Sequence, residues 1–204
     1  MITDYIKKNW DSCVRYAPVD EGTLIGMPYP YIVPSPQEHF QEMYYWDTFF
    51  TCKGLILTDR TDIAKNCVDN MFYMVERFGF MPNGNRTYYL SQSQPPFLSM
   101  MVKDVFSFHK DVEWLRNAYN TLKKEYEFWM SKRITPTGLN RFGVNSEFIG
   151  DASKHYYSIC KRVNYMFPTD DYMDFAQNAL SDCESGWDFN PRMSMHQKNI
   201  FMLI

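Results

Sequence analysis

Apolar residues that recur every three and four positions constrain this chain more than any other feature. Ile63, Ala64, Cys67, Val68, Met71, Met74 and Val75 share one face of a helix that Thr61 can cap and Gly79 can stop. The same spacing predicts a helix over about 95–109, opened by Pro95-Pro96 and buried along Phe97, Met100, Met101, Val105 and Phe108. A third, over about 112–132, sets Trp114, Leu115, Ala118, Leu122, Phe128 and Trp129 among charged residues. Further helices are expected over 3–15, 38–57 and 149–163, and Pro168-Thr169-Asp170-Asp171 signals the start of one that runs to about Cys183. Seven helices separated by polar loops read as stacked αα-hairpins in an all-α fold. Strand-like alternation is scarce, and its best stretch, 86–90, predicts at most a short β-hairpin inside the loop at 81–97.

The 204 residues are 45% hydrophobic, which suffices for one sizeable core, and no linker divides them, so a single domain is expected. An aromatic share of 18% together with 14 Met points to a core of adaptable side chains or to a ring-lined cleft. A net charge of −3 with Lys and Arg scattered leaves no footprint for nucleic acid or for an anionic membrane surface. No window approaches the roughly 18 apolar residues of a membrane span, and the polar start Met-Ile-Thr-Asp-Tyr-Ile-Lys-Lys lacks signal-peptide character, which predicts a cytoplasmic location. Cys13, Cys52, Cys67, Cys160 and Cys183 are widely spaced with no Cys-x-x-Cys pair, so they read as reduced thiols, and neither a metal nor a cofactor is expected. Asn85-Arg86-Thr87 matches a glycosylation acceptor only formally.

Three segments exceed what a plain bundle needs. The loop Met81 to Phe97 carries Asn83, Asn85, Gln92, Gln94, Tyr88 and Tyr89 with almost no charge, a set of neutral donors, acceptors and flat rings suited to sugar hydroxyls and C–H faces. Generic turns made by Asn-Gly and Pro-Pro explain the same loop more plainly. In Glu38 to Phe50, Asp47 follows Trp46 inside an aromatic run, and a carboxylate there must find partners or sit at a cleft, unless Asp47 and Glu42 face solvent on an amphipathic helix. In Glu184-Ser185-Gly186-Trp187-Asp188-Phe189, Gly186 permits a sharp turn and Asp188 stands between two aromatic residues. Apolar walls raise a carboxyl pKa and suit a general acid, while a solvent-facing turn aspartate is the plain alternative.

Phe40-Gln41-Glu42-Met43-Tyr44-Tyr45-Trp46-Asp47 resembles the first signature of the α,α-trehalases, glycoside hydrolase family 37. Pro82-Asn83-Gly84-Asn85-Arg86-Thr87-Tyr88-Tyr89-Leu90, followed by Ser93-Gln94-Pro95-Pro96, is similar to that family's substrate loop, and Glu184 to Phe189 is similar to the segment bearing its catalytic acid. The resemblance implies an (α/α)6 toroid, the six-hairpin glycosidase fold, with a disaccharide bound at one end. It implies inverting hydrolysis of trehalose or a related α-glucoside, in which one carboxylic acid protonates the glycosidic oxygen and a second carboxylate activates water. Asp188 would be the acid, and Phe40, Trp46, Asp47, Asn83, Gln94, Glu147 and Gly186 would line the glucose site.

The chain departs from that pattern at three arginines. His39 precedes Phe40 where the family has one, Gln92 stands in place of another, and Asn145-Ser146-Glu147 is the nearest match to an Arg-Pro-Glu triplet. Seven helices against the toroid's twelve, with the apolar run Asn199 to Ile204 at the end, read as the incomplete N-terminal portion of a catalytic domain. The family's general base lies past that portion, so no residue here is assigned to it. Two other readings remain: a non-catalytic helical sugar-binding protein or remnant that keeps the fold, and a helical scaffold for other proteins.

Overall fold

The computed structural model describes residues 2–148, Lys154 and 172–187. Six α-helices run among them: α1 (Ile2–Asn9), α2 (Tyr45–Leu57), α3 (Thr61–Phe78), α4 (Leu98–His109), α5 (Val112–Lys132) and α6 (Tyr172–Ser185). The helix expected over 149–163 lies, apart from Lys154, outside the described residues. A two-stranded antiparallel pair, β1 (Val14–Arg15) and β2 (Tyr31–Ile32), sets Val14 opposite Ile32.

The periodic stretch at 61–79 folds as its spacing dictates, except that Thr61 is the first helical residue and the N-cap position falls on Arg60, with no side-chain cap. All seven of its apolar positions are buried in α3, and Gly79, at φ 82°, donates its N–H to the Val75 carbonyl at 2.8 Å to close the helix. α3 lies at the centre and packs against α2, α4, α5 and β2. Asn70, the polar member of its buried face, accepts the Tyr29 N–H at 3.0 Å and donates to the Tyr29 carbonyl at 2.9 Å, serving that extended segment as a neighbouring strand would. α4 buries Leu98, Met101, Val102 and Val105, whereas Met100 and Phe108 of the expected face are about half exposed. The helix begins at Leu98, after the prolines, and this phase carries those two side chains outward. Asp111 caps α5 by accepting the Trp114 N–H at 2.9 Å.

Three segments depart from expectation. The helix expected over 3–15 ends at Asn9, because Trp10–Cys13 is a 3-10 turn and Val14–Arg15 pairs with β2. Residues 38–44 are not helical: Met43 donates its N–H to Asn85 Oδ1 at 2.8 Å and Tyr44 bridges to Gly84, so this stretch is engaged by the loop at 81–97, and α2 starts only at Tyr45, whose N–H goes to the Asn83 carbonyl at 2.9 Å. Phe40 accordingly takes φ 60°, a left-handed backbone unfavourable for a bulky residue. Residues 86–90 form no hairpin. Thr87–Tyr89 is a 3-10 turn, and the bridges of this loop reach Leu24 from Arg86 and Tyr44 from Gly84. No helix among the described residues is long and apolar enough to cross a membrane.

Candidate active site

The polar loop divides into groups that hold the fold and groups that face the site. Asn85 is fully buried and belongs to the first: its amide accepts from Met43 and donates to the Ile25 carbonyl at 3.2 Å, and its backbone carbonyl accepts the Ile25 N–H at 3.0 Å. Gln92, also fully buried, accepts the Ser91 hydroxyl. Ser93 donates its hydroxyl to the Met81 carbonyl at 2.6 Å.

Asn83 and Gln94 belong to the second. Asn83 is 4% exposed and its backbone is held by Tyr45 and by the Gln92 carbonyl, yet among the described residues no hydrogen bond engages its side-chain amide. A polar group so placed serves a ligand better than the fold. Gln94 accepts the Trp46 N–H at 3.1 Å in the first turn of α2, where the helix leaves N–H groups without internal partners. Its side chain also interacts with the Asp47 carboxyl. Asp47 remains exposed, while the surrounding protein partly desolvates the carboxyl and raises its pKa against the lowering pull of its own backbone and of Gln94.

Trp46 and Gly186 meet directly. At φ 75° Gly186 lies on the indole so closely that a Cβ there would fall 2.5 Å from the ring, a space that no side chain can occupy. Residues 140 positions apart in the chain are thus joined by a contact that requires glycine. Trp187 follows, 57% exposed, with its N–H donated to Ser185 Oγ at 3.1 Å. Asp188, the expected acid, lies outside the described residues.

Phe40 stands apart from this group. It is 63% exposed and meets Tyr44 edge-on at 6.4 Å, in a chain of rings that continues through Tyr89 to Tyr88. Glu42 does not face solvent: it is 8% exposed, accepts Arg86 Nε at 2.8 Å and receives the Tyr44 hydroxyl at 2.8 Å. Burial, then the adjoining tyrosine, push the Tyr44 hydroxyl pKa upward. Glu147 sits exposed in a 3-10 turn, Ser146–Phe148, which reaches the loop because Asn145 donates its N–H to the Ser91 carbonyl at 2.6 Å.

Sequence reasoning missed the buried acids Glu125 and Glu184. Glu125 occupies a core position of α5, in register with Ala118, Thr121 and Phe128, and accepts the Tyr45 hydroxyl. Glu184 lies in the last turn of α6, where the helix dipole disfavours an anion and no basic residue of that turn offsets it. Each misplacement was a legible signal: an acid on an apolar stripe, and an acid at the wrong helix end, both require a partner elsewhere.

Stacked helical hairpins of the (α/α)6 type, with amide, carboxyl and indole groups gathered at the start of α2 and the end of α6, define the class of this protein. The comparisons narrow it. The trehalase family profile matches residues 2–200, and the chain belongs to that family. It is 33% identical over 180 residues to the trehalase of Bombyx mori, covering 85% of this chain and 30% of that protein. Against the trehalase of Apis mellifera the identity is 35% over 177 residues, 83% of this chain and 28% of that one. Neutral trehalase Nth1 from Saccharomyces cerevisiae superposes with a TM-score of 0.64 at 29% identity, over 95% of this chain and 41% of its own. The chain therefore spans about 30% of the length of the insect relatives it matches.

Proposed function

We propose that the protein acts as an inverting glycoside hydrolase on α,α-trehalose or a closely related α-glucoside. The observation that carries this reading is the convergence on Trp46: Gly186 on its ring, Gln94 on its N–H, and Asp47 beside it under the same glutamine. An indole offers a face for sugar C–H groups, and Asp47, Gln94 and the uncommitted Asn83 amide offer neutral and charged partners for hydroxyls. Asp188, two residues past Gly186, supplies the proton to the glycosidic oxygen, and a second carboxylate, not assigned to any residue of this chain, activates water from the opposite face. The substrate is a small disaccharide.

Inversion makes a sharp prediction. Early in the reaction, proton NMR of the anomeric region shows β-glucose from the attacked half and α-glucose from the leaving half in equal amounts. In the full-length protein, Asp188→Asn abolishes glucose release from trehalose while circular dichroism and thermal unfolding stay as in the wild type; an unaltered rate removes Asp188 from the role of acid. If the wild type releases no glucose from trehalose, maltose or an aryl α-glucoside, the chain is a remnant that keeps the fold without turnover.

A further inference from the structure

Glu184 is the most fully engaged carboxylate among the described residues. It is completely buried, and each of its oxygens receives two donors: Arg133 Nη2 at 2.8 Å and the Ser93 N–H at 2.7 Å on Oε1, Arg133 Nε at 2.7 Å and the Gly143 N–H at 2.6 Å on Oε2. Arg133 is 3% exposed and its guanidinium lies over the Phe128 ring at 4.7 Å. With its four acceptor sites taken, this carboxylate has none left for a substrate.

Its partners come from separate stretches of chain: the polar loop, the end of α5 and the segment after it. Two arms leave this junction and meet again. From Ser93 the chain passes to Gln94, which takes the Trp46 N–H; from Glu184 it passes through Ser185 to Gly186, which lies on the Trp46 ring. The result is a closed ring of contacts, Glu184 to Ser93 to Gln94 to Trp46 to Gly186 and back to Glu184, with the indole at one pole and the buried ion pair at the other. A shift of the carboxylate moves both the residue that holds the Trp46 backbone and the residue that fixes its ring. A buried ion pair is a poor device for stability alone, since apolar replacement of such a pair is often neutral. It is a good device for fixing a register, because bidentate geometry admits little slack.

We propose that Glu184, held by Arg133, is a positioning residue that sets the placement of Gln94 and Gly186 about Trp46 for the reaction described above. This rests on the glycosidase reading, and the test separates the two. In the full-length protein, the double variant Arg133→Met/Glu184→Gln removes both charges together, so neither is left buried alone, and Gln still accepts from a backbone N–H. The expected result is a thermal unfolding midpoint close to wild type with kcat on trehalose lowered about 100-fold, the loss that a displacement of about 1 Å produces at a reacting centre. A double variant that folds normally and keeps wild-type kcat and KM overturns the proposal and leaves the glycosidase reading standing. A wild type without glycosidase activity overturns that reading and the proposal with it. If the double variant fails to fold, Arg133→Lys decides, since it keeps the charge and loses the fork: kcat about tenfold below wild type at a normal midpoint supports positioning, and an unchanged kcat refutes it.

Discussion

The helical bundle and the polar loop solve the same problem, backbone polarity in a buried place, by opposite means. α3 satisfies its own amides internally and needs only apolar side chains on its buried face, of which Asn70 is the polar exception. The loop at 81–97 is nearly as buried but has no ladder, so its side chains do the work that helix geometry does elsewhere. Asn85 ties Met43 and Ile25, and Ser93 ties Met81. Polar content in a buried loop is first a structural requirement. The group to suspect of function is the one left over once that requirement is met, here Asn83.

The largest effect tests the structural half of that contrast. Asn85→Ala orphans the Met43 N–H and deprives the Ile25 carbonyl of a donor, both in the interior. At roughly 1–3 kcal/mol for each unsatisfied group, unfolding measured by denaturant shifts by about 4 kcal/mol. A shift below about 1 kcal/mol would show that water reaches the loop and that the division drawn here is false.

The same contrast explains what could be read from the sequence. α3 and α5 follow from spacing alone because each is determined within about twenty residues. The segment 38–44 does not, because Met43 and Tyr44 are claimed by Asn85 and Gly84, some forty positions away, and local pattern carries no such information. The site behaved likewise. Trp46, Asp47, Asn83, Gln94 and Gly186 were reached through motif resemblance, and the structure gathers them around α2. Glu184 was passed over as the first letter of a motif, since its importance lies in what Ser93, Arg133 and Gly143 do to it.

A smaller effect probes the acid buried within the bundle. Burial raises the Glu125 carboxyl from 4.5 to about 7, with the Tyr45 hydroxyl pulling the other way. A carboxyl whose pKa rises on folding is held protonated more firmly in the native state, so its contribution is present in full below pH 4.5 and is lost as pH rises through about 7. The loss amounts to about 3 kcal/mol from the size of the shift. Stability measured from pH 5 to 8 falls with rising pH, and Glu125→Gln flattens that slope; a slope unchanged in the variant assigns the titration to another group.

The smallest effect on stability is the most informative about the site. Asn83 sits two residues from Asn85, is almost as buried, and differs in having an amide that no described residue engages. Removing an uncommitted group orphans nothing, so Asn83→Ala changes unfolding free energy by less than about 1 kcal/mol. Its amide is then available for a sugar hydroxyl, and its loss raises KM for trehalose about tenfold, the size of a single hydrogen bond of roughly 1.4 kcal/mol in a desolvated site. Equal destabilisation by Asn83→Ala and Asn85→Ala would mean that both asparagines serve the loop, and the reading of Asn83 as a sugar contact would fail with the contrast that suggested it.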